Sequence, residues 1–285
     1  MKKFLAVVEL IRVKHWVKNV LIFLPAVCAR RFELDVFITL CLGFFAFSFM
    51  TSFIYIVNDV RDIEKDRMHP RKKKRPLPSG RISKKVAIVL AVLMFMVSLV
   101  LQYFASGEVF GLSLMFLATY AIINLGYSFG LKNVAIIDVA LLSAGFILRI
   151  YYGAALVDVV VSSWLFLTIL SASVFLALGK RKKELAANGA AVRKVLNKYN
   201  LEFLDRFTAV FLAGIFIFYS LWAIEQENNY LTMTIPLVMM IFMKYCLDIE
   251  KSDEGDPTTI IYSDKILLGL AMLYIVIVGV IFAFL

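Results

Sequence analysis

Three aspartates, Asp59, Asp62 and Asp66, stand three and four residues apart in the stretch Asn58–Gly80, NDVRDIEKDRMHPRKKKRPLPSG. With Asn58, the pair Asp62 and Asp66 keeps a four-residue spacing, so on a helix these oxygens share one face. The stretch follows directly on FSFMTSFIYIV, an apolar segment expected to lie in lipid. Carboxylates near a bilayer are rare unless they pair, coordinate or do chemistry. Hard oxygen donors suit Mg2+, which binds through one or two carboxylates and completes its shell with water and substrate phosphates. The expected ligand is therefore a diphosphate, and the basic residues that follow, Arg67, Lys72 and Arg75 among them, would neutralise it. Two plainer readings stand beside this one. Arg71 to Arg75 also fits an orientation signal, and the acids with Lys65 and Arg67 also fit a solvated turn of four-residue salt bridges.

The elements that must hold such a cluster are membrane helices. Of the 285 residues 61% are hydrophobic and 18% charged, and the mean hydropathy is +0.84, which excludes an ordinary soluble globular domain. Apolar windows of about 20 residues recur along the chain, each long enough to cross roughly 30 Å of hydrocarbon as a helix. Hydropathy predicts an all-α, polytopic bundle of about nine spans, near 14–30, 36–57, 85–105, 109–128, 134–156, 162–179, 205–224, 230–247 and 265–284. A barrel would need short alternating segments instead. The first window carries Lys14, His15, Lys18 and Asn19, as a helix facing a polar cavity would.

The positive charges sort by loop. Lys and Arg gather before span one and in the connections after spans two, four and six, whereas residues 105–108, 156–163 and 225–229 hold none. The chain is therefore expected as one integral membrane domain, 1–285, with its N-terminus and the loops near 58–84, 129–133, 180–204 and 248–264 in the cytoplasm and Leu285 outside. The ARRFELD loop is a weak exception. The net charge of +10 is spread over these loops, which argues against nucleic acid as a partner. The N-terminus is a poor cleavable signal, its apolar run being broken by Glu9, Arg12 and Lys14. Cys28, Cys41 and Cys246 lie in apolar windows without metal-ligand spacing and read as packing residues.

Further polar groups fall on the same expected face. NLGYSFGLKNVAIIDV brings Tyr127, Lys132 and Asp138 to a membrane edge, with Arg149 about three turns beyond Asp138 at about 1.5 Å per residue. An intramembrane Asp or Arg is a functional candidate, and a structural ion pair is the alternative. LGKRKKEL supplies Lys180, Arg181 and Glu184, with Lys180 and Glu184 one turn apart so that the acid can hold the cation. The last such loop is acidic, carries a Gly-Asp-Pro turn, and has Asp264 at the head of the final helix.

On these residues the chain resembles the UbiA-type superfamily of intramembrane prenyltransferases, and NDVRDIEKD looks like its first aspartate-rich motif. Four further segments are similar to the decaprenyl-phosphate phosphoribosyltransferase branch: RVKHWVKN at 12–19, DRMHPRKKKRPLPSG at 66–80, YSFGLKNVAIIDV at 127–139 and LGKRKKEL at 178–185. The second motif of prenyl-diphosphate users, DxxxD, is incomplete here, because Leu142 stands four residues after Asp138.

The resemblance implies transfer of 5-phosphoribose from 5-phosphoribosyl diphosphate (PRPP) to a polyprenyl phosphate in the bilayer, with Mg2+ as cofactor. It implies Asn58, Asp59, Asp62 and Asp66 as metal ligands, and Lys72, Arg75 and Arg67 on the diphosphate. Asp138 is a candidate to steady the oxocarbenium-like sugar or orient its hydroxyls. Lys18, Arg149, Lys180 and Arg181 are candidates for the lipid phosphate and the ribose 5-phosphate, and Asn19, Tyr127, Lys132 and Glu184 complete the polar set. A phosphate nucleophile needs no general base, so neither His15 nor His69 is expected to move a proton. Two rivals are a prenyl-diphosphate transferase acting on an aromatic acceptor and a transporter. A homo-oligomer is compatible with either class.

Overall fold

The computed structural model describes residues 2–68, 72–187, 194–251 and 257–284; His69, Arg71 and the Gly255-Asp256 turn lie outside them. Eight of the expected spans form helices long and apolar enough to cross a membrane. They are α3 (Leu34–Arg61), α5 (Lys84–Ser106), α6 (Phe110–Phe129), α7 (Ile137–Leu156), α8 (Ser163–Ala186), α9 (Leu201–Glu225), the run Asn229–Glu250 and α13 (Lys265–Phe284). The Asn229–Glu250 run comprises α10 (Asn229–Thr232) and α11 (Ile235–Lys251). Shorter helices precede or join them: α1 (Lys2–Leu10), α2 (Leu24–Cys28), α4 (Ile63–Met68) and α12 (Pro257–Ser263). No strand occurs among the described residues.

Contacts divide the chain into two compact units, 1–129 with 148–160, and 130–147 with 161–285, so α7 gives its first half to the second unit and its last half to the first. The first unit buries Phe47, Met50, Leu117, Tyr120, Tyr152 and Leu156 together. A second cluster joins Ala6 and Leu10 of α1 to Ile56, Leu77, Ile82 and Ala91. In the second unit Val139, Leu178, Val195, Leu196 and Leu204 form one core, and Phe175, Ile215, Tyr245, Ile260 and Leu267 another. Helix ends are set by local hydrogen bonds: Ser83 Oγ accepts from Val86 N, Asn200 Oδ1 from Phe203 N, and Asp264 Oδ1 from Ile266 N and Leu267 N.

The window near 14–30 is built differently from the rest. Val13–Phe23 is a 3-10 helix of 11 residues that runs into α2, although such helices seldom exceed one turn. Its packing partner explains the exception. Three residues of 3-10 helix rise about 6 Å, as do four residues of α-helix. The three-residue step from Trp16 to Asn19 therefore matches the four-residue step between Ser52 and Ser48 of α3. Trp16 Nε1 donates to Ser52 Oγ at 3.0 Å, Asn19 Nδ2 donates to Ser48 Oγ at 2.8 Å, and the Phe23 ring lies 6.0 Å from that of Phe44. On the other side Gly153 of α7 lies so close to Ile22 that a Cβ there would come 2.0 Å from the Ile22 carbonyl oxygen.

Hydropathy also stopped several helices early. α8 continues to Ala186, so Lys180–Glu184 are helical and the connection expected at 180–204 begins later. α3 runs to Arg61 and α11 to Lys251, because backbone hydrogen bonding carries a helix past the point where its side chains turn polar.

Candidate active site

The acid-rich stretch straddles two helices. α3 closes at Arg61, Asp62 adopts φ −92° and ψ 12° with its N–H on the Asn58 carbonyl, and α4 resumes at Ile63. The shared face expected for Asn58, Asp62 and Asp66 is replaced by one bearing Asp59 and Asp66, both 3% exposed, while Asn58 and Asp62 are half-buried. Seven residues make close to two turns, so the break at Asp62 still leaves these two carboxylates on one side.

Arg75 joins them. Its Nη1 lies 2.8 Å from Asp66 Oδ2 and 3.3 Å from Asp59 Oδ1. Lys72 Nζ stands 3.8 Å from Asp66 Oδ1. Burial pushes the Lys72 ammonium below its ordinary pKa; Asp66 opposes that shift, and Arg75 and Lys65 reinforce it. Arg12, which the sequence suggested only as an orientation charge, places Nη2 2.5 Å from Asp59 Oδ1 and its guanidinium carbon 4.4 Å above the Tyr55 ring. No spacing rule links residues 47 apart; the ladder between the 3-10 segment and α3 brings them together. Arg67 forms an exposed pair with Glu64, three residues before it on its own helix, at 2.9 Å; the plainer reading expected four-residue bridges to the aspartates instead.

Among the described residues no three His, Cys, Asp or Glu side chains gather closely enough to hold a metal ion by themselves. Two adjacent carboxylates ringed by cations fit a metal that brings phosphate oxygens of its own. Arg61 secures the neighbourhood by donating to the Ser128 carbonyl and lying 4.6 Å from the Phe129 ring centre.

Deeper in the first unit, Arg149 is 6% exposed. Its Nε donates to Asn19 Oδ1 at 2.7 Å, its Nη2 to Tyr120 Oη at 3.0 Å, and its guanidinium lies 5.1 Å and 4.8 Å from the Phe47 and Tyr120 ring centres. Asn19 is fully buried. Lys18 and His15 share a neighbouring, half-buried ridge of the 3-10 segment. Tyr127 is half-buried in the last turn of α6.

The second unit holds a separate cluster. Asp138 and Arg181 are both 0% exposed, with Arg181 Nε 2.7 Å from Asp138 Oδ2. Tyr199 Oη donates to Asp138 Oδ1 at 2.7 Å and accepts from Ile136 N at 2.7 Å. Glu184 takes Arg181 Nη1 at 2.5 Å. Lys180 is half-buried one residue before this pair, and Lys132 is half-buried in a short turn at 131–133. Tyr199 is a member that nothing in the sequence pattern marked.

These arrangements can be set beside known proteins. The UbiA prenyltransferase family profile matches residues 20–263. The chain belongs to that family. Among relatives of this UbiA chain, the decaprenyl-phosphate phosphoribosyltransferase of Mycobacterium tuberculosis H37Rv is 31% identical over 98% of this chain and 94% of its own. That of Corynebacterium glutamicum is 32% identical over 94% and 84%. A UbiA homologue from Archaeoglobus fulgidus bound to GPP and Mg2+ superposes with a TM-score of 0.72 at 16% identity over the whole of both chains. A digeranylgeranylglyceryl phosphate synthase does so at 0.68 and 20% identity, again over the whole of both. These structures share the fold. The protein is a multi-pass integral membrane transferase of the UbiA superfamily.

Proposed function

We propose that the protein transfers 5-phosphoribose from PRPP to a polyprenyl phosphate, releasing diphosphate, with Mg2+ as cofactor and the whole chain as one catalytic domain. The carrying observation is the buried Asp138–Arg181 pair: the aspartate left from the second acidic motif already has a cation and a phenol on its two oxygens. Asp59 and Asp66 remain to bind one metal–diphosphate, as phosphoribosyl transfer requires. The relatives' names support the same reading.

Asp59 and Asp66 would hold the ion, with Asp62 and Asn58 beside them at the helix junction as candidates to complete its shell, and Mg2+ would act there as a Lewis acid on the leaving diphosphate. Arg75 and Lys72 are placed to accept its negative charge as the C1–O bond breaks. The electron pair leaves with the diphosphate, and an oxygen of the lipid phosphate closes the new bond to C1. No proton need be taken from that anion. Lys18, Lys180 and Lys132, all half-buried, are the candidates to meet phosphates arriving from outside the fold. Arg149, Asn19, Arg181, Glu184 and Asp138 serve as positioning residues, because their polar atoms already hold one another or their helices. Tyr127, half-buried in the last turn of α6, is a further candidate. The reactive face would be cytoplasmic, on the inner membrane, a reading that the charge of the loops supports.

The test is incubation of purified protein with Mg2+, a polyprenyl phosphate and radiolabelled PRPP. Label entering the organic phase only when metal and lipid phosphate are both present is the expected result. Label that instead moves from a prenyl diphosphate onto an aromatic acceptor would replace this reading.

A further inference from the structure

Arg12 holds an unusual backbone conformation, φ 55° and ψ 48°, a left-handed region that L side chains with a Cβ rarely adopt. The turn lies where α1 gives way to the 3-10 segment. It aims the guanidinium at Asp59 Oδ1, 2.5 Å away, against the face of Tyr55. The same oxygen is 3.3 Å from Arg75. Both arginines are carried by one cap. Glu9 at the end of α1 pairs with Arg81 at 2.8 Å, Arg81 donates to the Lys74 carbonyl at 2.5 Å, and Ala6 and Leu10 pack with Leu77 and Ile82.

Charge decides what this cap can admit. Two buried carboxylates and the half-buried Asp62 face four cations, Arg12, Arg75, Lys72 and Lys65. A divalent ion added alone would raise a cluster already in positive excess, and it would compete with Arg12 for the same oxygen of Asp59. A metal that arrives with a diphosphate brings about three negative charges at neutral pH, enough to balance ion and excess together. The diphosphate also offers the planar guanidinium a bidentate partner in place of its single contact to Asp59.

We propose that Arg12 is an exchangeable counter-ion: it holds Asp59 before the donor binds, and it passes to the diphosphate as the metal takes its place on that carboxylate. Metal and diphosphate then enter as one species, and the bare ion is refused. This inference rests on the reading of Asp59 and Asp66 as the metal–diphosphate site. Arg12 remains tethered by its ring contact with Tyr55, so the exchange needs side-chain rotation and no movement of α3.

The experiment is Mn2+ binding to the full-length protein in detergent, measured by equilibrium dialysis of radiolabelled Mn2+ with and without inorganic diphosphate at equal concentration in both compartments, so that chelation in solution cancels and only protein-bound metal is read. Wild type is expected to bind Mn2+ weakly alone and at least tenfold more tightly with diphosphate. Arg12→Gln is expected to bind bare Mn2+ about tenfold more tightly than wild type, the loss of one charge-assisted competitor, so that the enhancement by diphosphate collapses. A residue that merely shaped the site would weaken both. Arg12→Lys keeps the charge but loses the fork, so its bare-ion affinity rises only a few-fold; it decides the question if the Gln variant is unstable. Unchanged or weaker bare-ion binding in a folded variant overturns the role of Arg12 alone. Failure of wild type to bind Mn2+ with diphosphate overturns the site itself.

Discussion

Asp59 in the first unit and Asp138 in the second are both buried carboxylates touched by arginine, but their surroundings differ in access. The cations around Asp59 and Asp66 are themselves partly open: Arg12 is 18% exposed, Arg75 32% and Lys72 41%. Arg181, which meets Asp138, is 0% exposed, as is Asp138 itself. A pair whose cation reaches solvent can trade partners at modest cost, because water screens the intermediate states. A pair sealed on both sides cannot, since separating it leaves an uncompensated charge in a low-dielectric interior. One residue pairing thus serves two ends, an exchangeable site in the first unit and a fixed brace in the second.

The largest test of this contrast is on the open cluster. Asp62→Asn is expected to reduce Mg2+-dependent turnover by at least about 10²-fold while leaving thermal stability in detergent close to wild type, because Asp62 is half-buried at a helix junction. Radiolabel transfer and a melting curve on one preparation measure both. Full activity would remove Asp62 from the metal site.

The sealed pair should respond in the opposite sense. Asp138→Asn or Arg181→Met alone is expected to cost about 3–5 kcal/mol of stability, the usual penalty for stranding a buried charge. The double variant should recover most of it, which a double-mutant cycle on unfolding midpoints would read. If the double variant is stable yet inactive, one of the two touches substrate and the contrast fails.

Arg149 sharpens the comparison within the first unit, where it is buried but held by neutral groups and ring faces. Arg149→Met keeps volume and loses two hydrogen bonds, for an expected loss of about 2–3 kcal/mol. Asn19 then lacks a donor to its Oδ1, so the 3-10 segment should loosen. Faster hydrogen exchange over 13–23 than over α3 would show it.

How much of this was legible depended on whether the information was local. Apolar length was enough for the eight long helices, and the charge run marked the cluster. Which acids face inward was not, because Asp59 is the α3 acid that meets Arg12 and Arg75, contacts across the fold that four-residue spacing does not encode. The 3-10 winding was illegible for a similar reason: the window 14–30 is apolar enough to span, and only the serines of α3, at four-residue spacing, select a rise of 2 Å per residue. Arg12 and Tyr199 were missed as partners because each meets its aspartate across 47 and 61 residues. A tyrosine or arginine beside a span carries no periodic signal of that meeting. Arg181 was marked as a phosphate candidate by its place among lysines. Its total burial follows from α8 continuing past the apolar window, so that its side chain points back into the bundle.

The smallest expected effect concerns the phenol that completes the brace. Burial, with the Asp138 hydrogen bond, pushes Tyr199 up to about 12, from 10.0, although the backbone N–H of Ile136 pulls the other way. Tyr199 lies between α8 and α9, outside the long apolar helices. Between those two pH values the unfolded chain has given up a proton that the folded chain keeps, so stability falls as pH rises. The loss is on the order of 2 kcal/mol or less, and it is absent below pH 10. Tyr199→Phe should flatten this alkaline slope while removing the hydrogen bond to Asp138 at every pH. The open cluster offers no such slope at the same pH, because its arginines keep their charge throughout. A falling slope that survived in Tyr199→Phe would assign the alkaline sensitivity to a group outside the brace, and not to Lys72, whose pKa is lowered by burial and which therefore gives a slope of the opposite sign.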